Sequence, residues 1–281
     1  MALDIKNLFI RGISGLVYIG LIIGAILLKE IGLGILISFF AVLGSYELEK
    51  QTLGKTEAGN LWMLNWIVDA TFILCITTTI FVSFSGSSFL LAFAVVLLGL
   101  RFILLIFENL KNPLKSISIF AFSIFYVLIP LLCLNLLLIN LNSPWALICL
   151  IAMIWINDTG AYLVGCSIGK HKMFPRVSPQ KSWEGLIGGV LFNIGTAFIY
   201  TYCFKLNILG YDSSIIPWII IGISVSVFST LGDLFESMIK RSLQIKDFGN
   251  IMPGHGGILD RIDSLLFVAP ALSFIISFLN F

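Results

Sequence analysis

Nine apolar runs limit what this 281-residue chain can fold into: about 8–28, 31–46, 61–83, 88–107, 117–139, 145–165, 185–204, 215–235 and 264–280. The hydrocarbon layer of a bilayer is crossed by about 20 helical residues. Lipid offers no water to an open backbone N–H or C=O, so an apolar run inside it must close its own hydrogen bonds. The expected class is therefore all-α, a polytopic integral membrane protein with about nine transmembrane helices. Composition excludes a soluble fold, since 58% of residues are hydrophobic and 11% charged. Soluble domains carry roughly 25% charged residues. The second run is short and glycine-rich and is expected to be tilted or only partly inserted. The first suits a span better than a cleavable signal. Cys75, Cys133, Cys149, Cys166 and Cys203 form no C-x-x-C pair and read as packing residues.

Charge distribution orients the spans. With the N-terminus inside, the inner segments are that terminus and the loops near 47–60, 108–116, 166–184 and 236–263, and with Arg11 at the inner end of the first run they hold 14 of the 17 Lys and Arg residues. The outer segments hold Lys29 and Lys205. Arg101 lies within the fourth run, near its inner end, and is expected to snorkel toward that face. Such a bias marks the cytoplasmic side, here of the cell (inner) membrane. A net charge of +2 gives no reason to expect a nucleic-acid partner. The two longest inner loops flank runs seven and eight. Residues 1–140 thus read as an N-terminal transmembrane scaffold and 141–281 as a C-terminal transmembrane catalytic region.

Polar residues cluster at the inner ends of that second region. In "STLGDLFESMIKR", residues 229–241, Asp233, Glu236, Ser237 and Lys240 share one helical face. A helix end emerging into water carries such residues without function. Asp233, however, abuts the apolar run, where an unpaired carboxylate is costly and is usually paired or holds a cation. In "IMPGHGGILDRID", residues 251–263, Asp260 and Asp263 are three apart on one helical turn. Facing carboxylates attract a hard cation such as Mg²⁺, which takes oxygen ligands. Gly254, Gly256 and Gly257 let backbone N–H groups approach an anion, and His255 and Arg261 are candidate phosphate contacts.

"WINDTGAY", residues 155–162, interrupts run six with Asn157 and Asp158. These residues read either as a cap or interhelical hydrogen bond, or as the wall of a polar cavity. "SPQKSWEG", residues 178–185, opens run seven, with Lys181 a candidate phosphate contact and Ser182 a candidate helix start. His171 reads as part of a solvated basic loop near headgroups, with no catalytic role. Asp69 is a polar residue inside run three with no assigned use.

At these residues the chain resembles the phosphatidate cytidylyltransferase (CDP-diacylglycerol synthase) family. The family signature is S-x-[apolar]-K-R-x4-K-D-x-[small]-x2-[apolar]-[P/G/S]-x-H-G-G-[apolar]-x-D-R-[apolar]-D. "SMIKRSLQIKDFGNIMPGHGGILDRID", Ser237 to Asp263, fills every fixed position. "NDTGAY" and "SPQKSWEG" resemble two further family motifs, with Gln180 where the family often has Lys. The resemblance implies conversion of CTP and phosphatidate to CDP-diacylglycerol and pyrophosphate at the cytoplasmic face. It implies Mg²⁺ held by Asp233 and Asp260, and leaves open a second, monovalent cation such as K⁺. Ser237, Lys240, Arg241, Lys246, Asp247, His255 and Asp263 would build the rest of the site. It also implies a homodimer with a polar cavity open to the cytosol.

The main rival is a cation-coupled membrane transporter, suited by intramembrane Asp69, Asp158 and Asp233. It predicts midplane polar groups and repeat symmetry, whereas the polar residues gather at inner ends and no repeat is visible. The CDP-alcohol phosphotransferase pattern D-x2-D-G-x2-A-R-x8-G-x3-D-x3-D is absent from the sequence.

Overall fold

The computed structural model describes residues 5–53, 61–81, 87–107, 112–203, 214–252, 254 and 256–279, with side chains from residue 12 onward. Among the described residues eight helices are long and apolar enough to cross a membrane, and Gly12–Leu27 is a shorter apolar helix. The chain is an all-α polytopic membrane protein. It divides into two compact units, one of residues 1–132 with 247–261, the other of residues 133–246 with 262–281.

The first unit begins with α1 (Ile5–Leu27) and α2 (Lys29–Thr52), a tight antiparallel pair. The chain reverses at Lys29, whose φ of 56° is left-handed, and Tyr18 stacks on Phe40 with ring centroids 6.2 Å apart. Two glycines of α2 face neighbouring side chains. A Cβ at Gly34 would press into Phe81, and one at Gly44 would touch Val127 and Leu259. They are contact points where helices approach closely, as small residues are in membranes. Instead of a short, partly inserted run, α2 is a 24-residue helix that meets the length and hydropathy of a span.

Helices α3 (Trp62–Phe81) and α4 (Ser87–Phe107) pack Val68 and Cys75 against Ala94 and Leu97. Between them lies an ion pair. Arg101 Nε donates to both oxygens of Asp69, at 3.0 and 3.1 Å, and its Nη2 donates to Ser116 Oγ at 2.7 Å. Arg101 is 2% exposed, so it does not snorkel to the inner face. A partner in the neighbouring helix makes burial cheaper than reaching for water. Ser116 belongs to α5 (Pro113–Ser123), which runs through a π-helical stretch, Ile124–Leu128, into α6 (Ile129–Leu141). Removing one member of a buried pair leaves the other uncompensated, at about 3–5 kcal/mol. Arg101→Leu or Asp69→Leu alone should therefore lower the thermal midpoint of the detergent-purified protein sharply. Because buried Glu49 of α2 lies against the same two side chains, the double variant should recover only part of the loss, and a double variant no better than the worse single would refute the pairing.

In the second unit α7 (Pro144–Ile168) starts with Ser143, whose Oγ accepts from Ala146 N at 3.3 Å, and Pro144 in its first turn. It runs unbroken through Asn157 and Asp158, contrary to the expected interruption. Both side chains find hydrogen-bond partners, so the backbone has no cause to open. The expected basic loop contains a short antiparallel hairpin, β1 (Lys172–Phe174) and β2 (Ser178–Ser182), pairing Lys172 with Ser182 and Phe174 with Ser178. Ser182 then caps α8 (Trp183–Phe198), its Oγ accepting from Gly185 N at 3.1 Å. A π-helical stretch, Ile199–Cys203, continues α8. Side by side, α7 and α8 leave no room for a Cβ at Gly160, Gly188 or Gly189. Helix α9 (Ile216–Ser242) reaches past the expected end of its run, and α10 (Leu259–Leu279) closes the chain. Large apolar side chains such as Leu16, Phe89, Ile106, Phe125 and Phe274 stand exposed on the helices, which suits contact with lipid and not with water.

Candidate active site

The second unit gathers acids near the C-terminal end of α9. Asp233, Glu236 and Asp263 each place a carboxylate oxygen within 4.8 Å of the others. Asp233 and Glu236 share a helical face by their spacing of three. Asp263 comes from α10, which lies close because Gly232 has no side chain: a Cβ there would sit 2.6 Å from the Asp263 carbonyl oxygen. Ser264 Oγ donates to Ser229 O at 3.4 Å across the same seam.

Two lysines balance part of this charge. Lys181 Nζ, from β2, is 2.7 Å from Asp233 Oδ2 and donates to Thr230 O at 3.4 Å. Lys240 Nζ donates to Glu236 Oε2 at 2.8 Å. Ser237 Oγ donates to Asp233 Oδ1 at 3.3 Å. Beside them Asp158 Oδ1 accepts from Ser229 Oγ at 3.0 Å and from Asn157 Nδ2 at 3.2 Å, while Asn157 Nδ2 also reaches Ser229 Oγ at 3.3 Å. Asp158 lies within electrostatic reach of Asp233 and Asp263. Four acids thus face two lysines. Oxygen donors with an excess of negative charge are the donor set that a hard cation such as Mg²⁺ takes.

The first unit holds the glycine-rich loop ahead of α10. Asp260 Oδ2 accepts from Phe248 N and Gly257 N, both at 2.9 Å. Gly254 and Gly256 have φ of 74° and 87°, which a side chain rarely tolerates. Met252 N donates to Gly256 O at 2.9 Å, pinching the loop. Glu47 of α2 is buried, and its two oxygens accept from Ile258 N at 3.0 Å and Leu259 N at 2.9 Å. Gln51 Nε2 donates to Phe248 O at 2.6 Å. Tyr18 OH donates to the Arg261 carbonyl at 2.9 Å.

Residues 9–279 match the cytidylyltransferase family. The chain belongs to that family. It is similar to the phosphatidate cytidylyltransferase of Haemophilus influenzae, 42% identical over 172 residues, which are 58% of this chain and 58% of that one. The phosphatidate cytidylyltransferase of Bacillus subtilis is 47% identical over 125 residues, 44% of this chain and 45% of its own length. That of Staphylococcus aureus strain COL is 44% identical over 128 residues, 44% of this chain and 46% of its own. The matched stretches thus cover about half the length of these relatives. Family membership lends no support to a transporter, and the intramembrane Asp69 counted toward that reading is tied to Arg101.

Of the residues that the cytidylyltransferase signature picked out, the structure brings together Asp158, Lys181, Asp233, Ser237, Lys240 and Asp263 in one unit. Gly254, Gly256 and Gly257 share the loop in the other, with Asp260 in the first turn of α10 behind it. Arg241, Lys246, Asp247 and Arg261 are exposed around the end of α9, the loop and the start of α10. His255 lies outside the described residues. Glu47, Gln51 and Ser229 were not singled out by the sequence, and Glu236 was seen only as a member of a helical face. The signal for Glu47 was faint: two acids and a glutamine in "SYELEKQ", at the polar end of an apolar run.

Proposed function

We propose that this chain is a phosphatidate cytidylyltransferase, joining CTP to phosphatidate and releasing pyrophosphate. What carries the reading is the complete signature from Ser237 to Asp263 in a member of the cytidylyltransferase family. The convergence of Asp233, Glu236 and Asp263 with Lys181 and Lys240 supports it from the side of chemistry.

In this reaction a phosphatidate oxygen forms a bond to the α-phosphorus of CTP. The bond from that phosphorus to the bridging oxygen breaks, and pyrophosphate leaves with the electron pair. The attacking phosphate is already ionised at neutral pH, so catalysis needs positioning and charge neutralisation more than a base. Lys181 and Lys240, now paired with acids, are placed to meet phosphate oxygens, with Arg241, Lys246 and Arg261 as further cations. Asn157, Asp158 and Ser229 form a hydrogen-bonded polar wall beside them. Asp233 and Asp260 are the ligands the resemblance implies for Mg²⁺, and Glu236 and Asp263 stand beside Asp233. When bound, the ion supplies Lewis-acid charge compensation for the triphosphate. The loop backbone, turned by the left-handed Gly254 and Gly256, is assigned to the nucleotide phosphates.

Orientation belongs to the same proposal. The Lys and Arg bias supports a cytoplasmic side for loop 236–263. Inverted inner-membrane vesicles carrying the protein should turn added CTP into CDP-diacylglycerol with Mg²⁺ present, and right-side-out vesicles should not, because CTP does not cross a bilayer. Folded protein that makes no product with either vesicle type would overturn the function. Equal rates from both would overturn the orientation.

A further inference from the structure

Among the residues that tie the N-terminal helices to the signature segment, Glu47 is the buried carboxylate. Its carboxylate is 2% exposed and its two oxygens take two successive backbone N–H groups, those of Ile258 and Leu259. These are among the first N–H groups of α10, which have no partner within the helix. An acid there is favoured by the helix dipole as well. Caps normally come from the residue just before a helix, but this one comes from 211 positions away.

A simple cap does not explain the rest of the contact. The loop is folded around the carboxylate: a Cβ at Gly249 or at Gly257 would run into Glu47. One turn further along α2, Gln51 holds Phe248 O at 2.6 Å, and the Phe248 ring is buried. Helix α2 therefore grips the loop at both ends, at Phe248 and at Ile258–Leu259. Asp260 fastens the same two ends to each other through Phe248 N and Gly257 N. Between the grips, Asn250, Ile251 and Gly254 stand exposed. That middle is the stretch assigned above to the nucleotide.

We propose that Glu47 is a positioning residue of the reaction, holding the 248–257 loop in the shape that receives the CTP phosphates. This inference rests on the cytidylyltransferase reading. Glu47→Gln keeps the size but offers one acceptor where two N–H groups need one each, and turns a donor toward a donor. Losing one charge-assisted hydrogen bond is expected to raise the KM for CTP about tenfold. The KM for phosphatidate should stay within about twofold, since its contacts are elsewhere. Hydrogen exchange of the Ile258 and Leu259 amides should quicken beyond that of amides elsewhere in the full-length protein, whose thermal midpoint should fall only modestly. Gly249→Ala attacks the same contact from the loop side and should give the same CTP-selective pattern.

A merely structural Glu47 would instead weaken both substrates alike in both variants, and that outcome overturns the proposal. So does an unchanged CTP KM, or unchanged exchange at Ile258 and Leu259. The exchange measurement needs no substrate. If the wild type formed no CDP-diacylglycerol, the functional reading would fall while the grip of Glu47 on the loop could still be scored by exchange, and the positioning role would fall with the function.

Discussion

Asp233→Asn is expected to lower turnover by about a hundred- to a thousandfold, the scale seen when one preorganised charge-stabilising group is removed from an active site. The protein should remain folded. Asn keeps the size of the side chain, and its oxygen can still accept from Ser237 Oγ, now at 3.3 Å. What disappears is the charge facing Lys181, and a partly exposed ion pair of this kind contributes only about 0–1 kcal/mol. A small effect on stability with a large one on rate separates a cation and substrate site from a solvated helix end. Glu236 and Asp263 remain in place, so the variant should still respond to Mg²⁺, but only at higher concentration. A Mg²⁺ titration of activity beside a melting curve reads both quantities. Near-normal turnover with a normal Mg²⁺ response would remove Asp233 from the site.

The spans were legible because lipid imposes one rule on every residue of a run: be apolar and close the backbone hydrogen bonds. Hydropathy alone therefore places nine helical segments. What it cannot place is any feature decided by a partner from another run. Arg101 and Asp69 are 32 positions apart, and each alone is an anomaly in an apolar helix. Their pairing turns two costly charges into one buried bridge. Asn157 and Asp158 looked like a break because the oxygen that satisfies them, Ser229 Oγ, lies about seventy residues on. The hairpin at Lys172–Ser182 is too short for a period to show.

The site divides the same way. Asp233, Glu236, Ser237 and Lys240 could be set on one face from spacing, since a helix fixes the geometry of neighbours three and four apart. The glycine loop was marked by Gly254 and Gly256, whose left-handed backbone is a property of the residue itself. Glu47 was not legible, because nothing within α2 requires an acid there. Its need arises only when the start of α10 is brought against it. Reading residues 1–140 as scaffold was thus a statement about sequence pattern, which says nothing of Glu47 accepting from Ile258 N and Leu259 N.

Asp260 carries the second large effect, and its two tasks can be separated. One oxygen, Oδ2, accepts from both Phe248 N and Gly257 N. Asparagine has one oxygen to offer, and one oxygen is all those two bonds require. Asp260→Asn therefore keeps an acceptor for both of those bonds and removes the charge. If that charge helps hold Mg²⁺, turnover falls about a hundredfold, on the scale of one lost charge-stabilising group, and half-saturation by Mg²⁺ moves to higher concentration. Asp260→Ala removes the charge and both hydrogen bonds, so it should lose as much toward Mg²⁺ and should also speed amide exchange at Phe248 and Gly257. The pair of variants fixes the assignment. An Asn variant that keeps the wild-type Mg²⁺ response, beside an Ala variant with a loosened loop, would take Asp260 out of the metal site and leave it as the clasp of the loop. An Asn variant needing more Mg²⁺ with its loop still protected would keep it as a ligand.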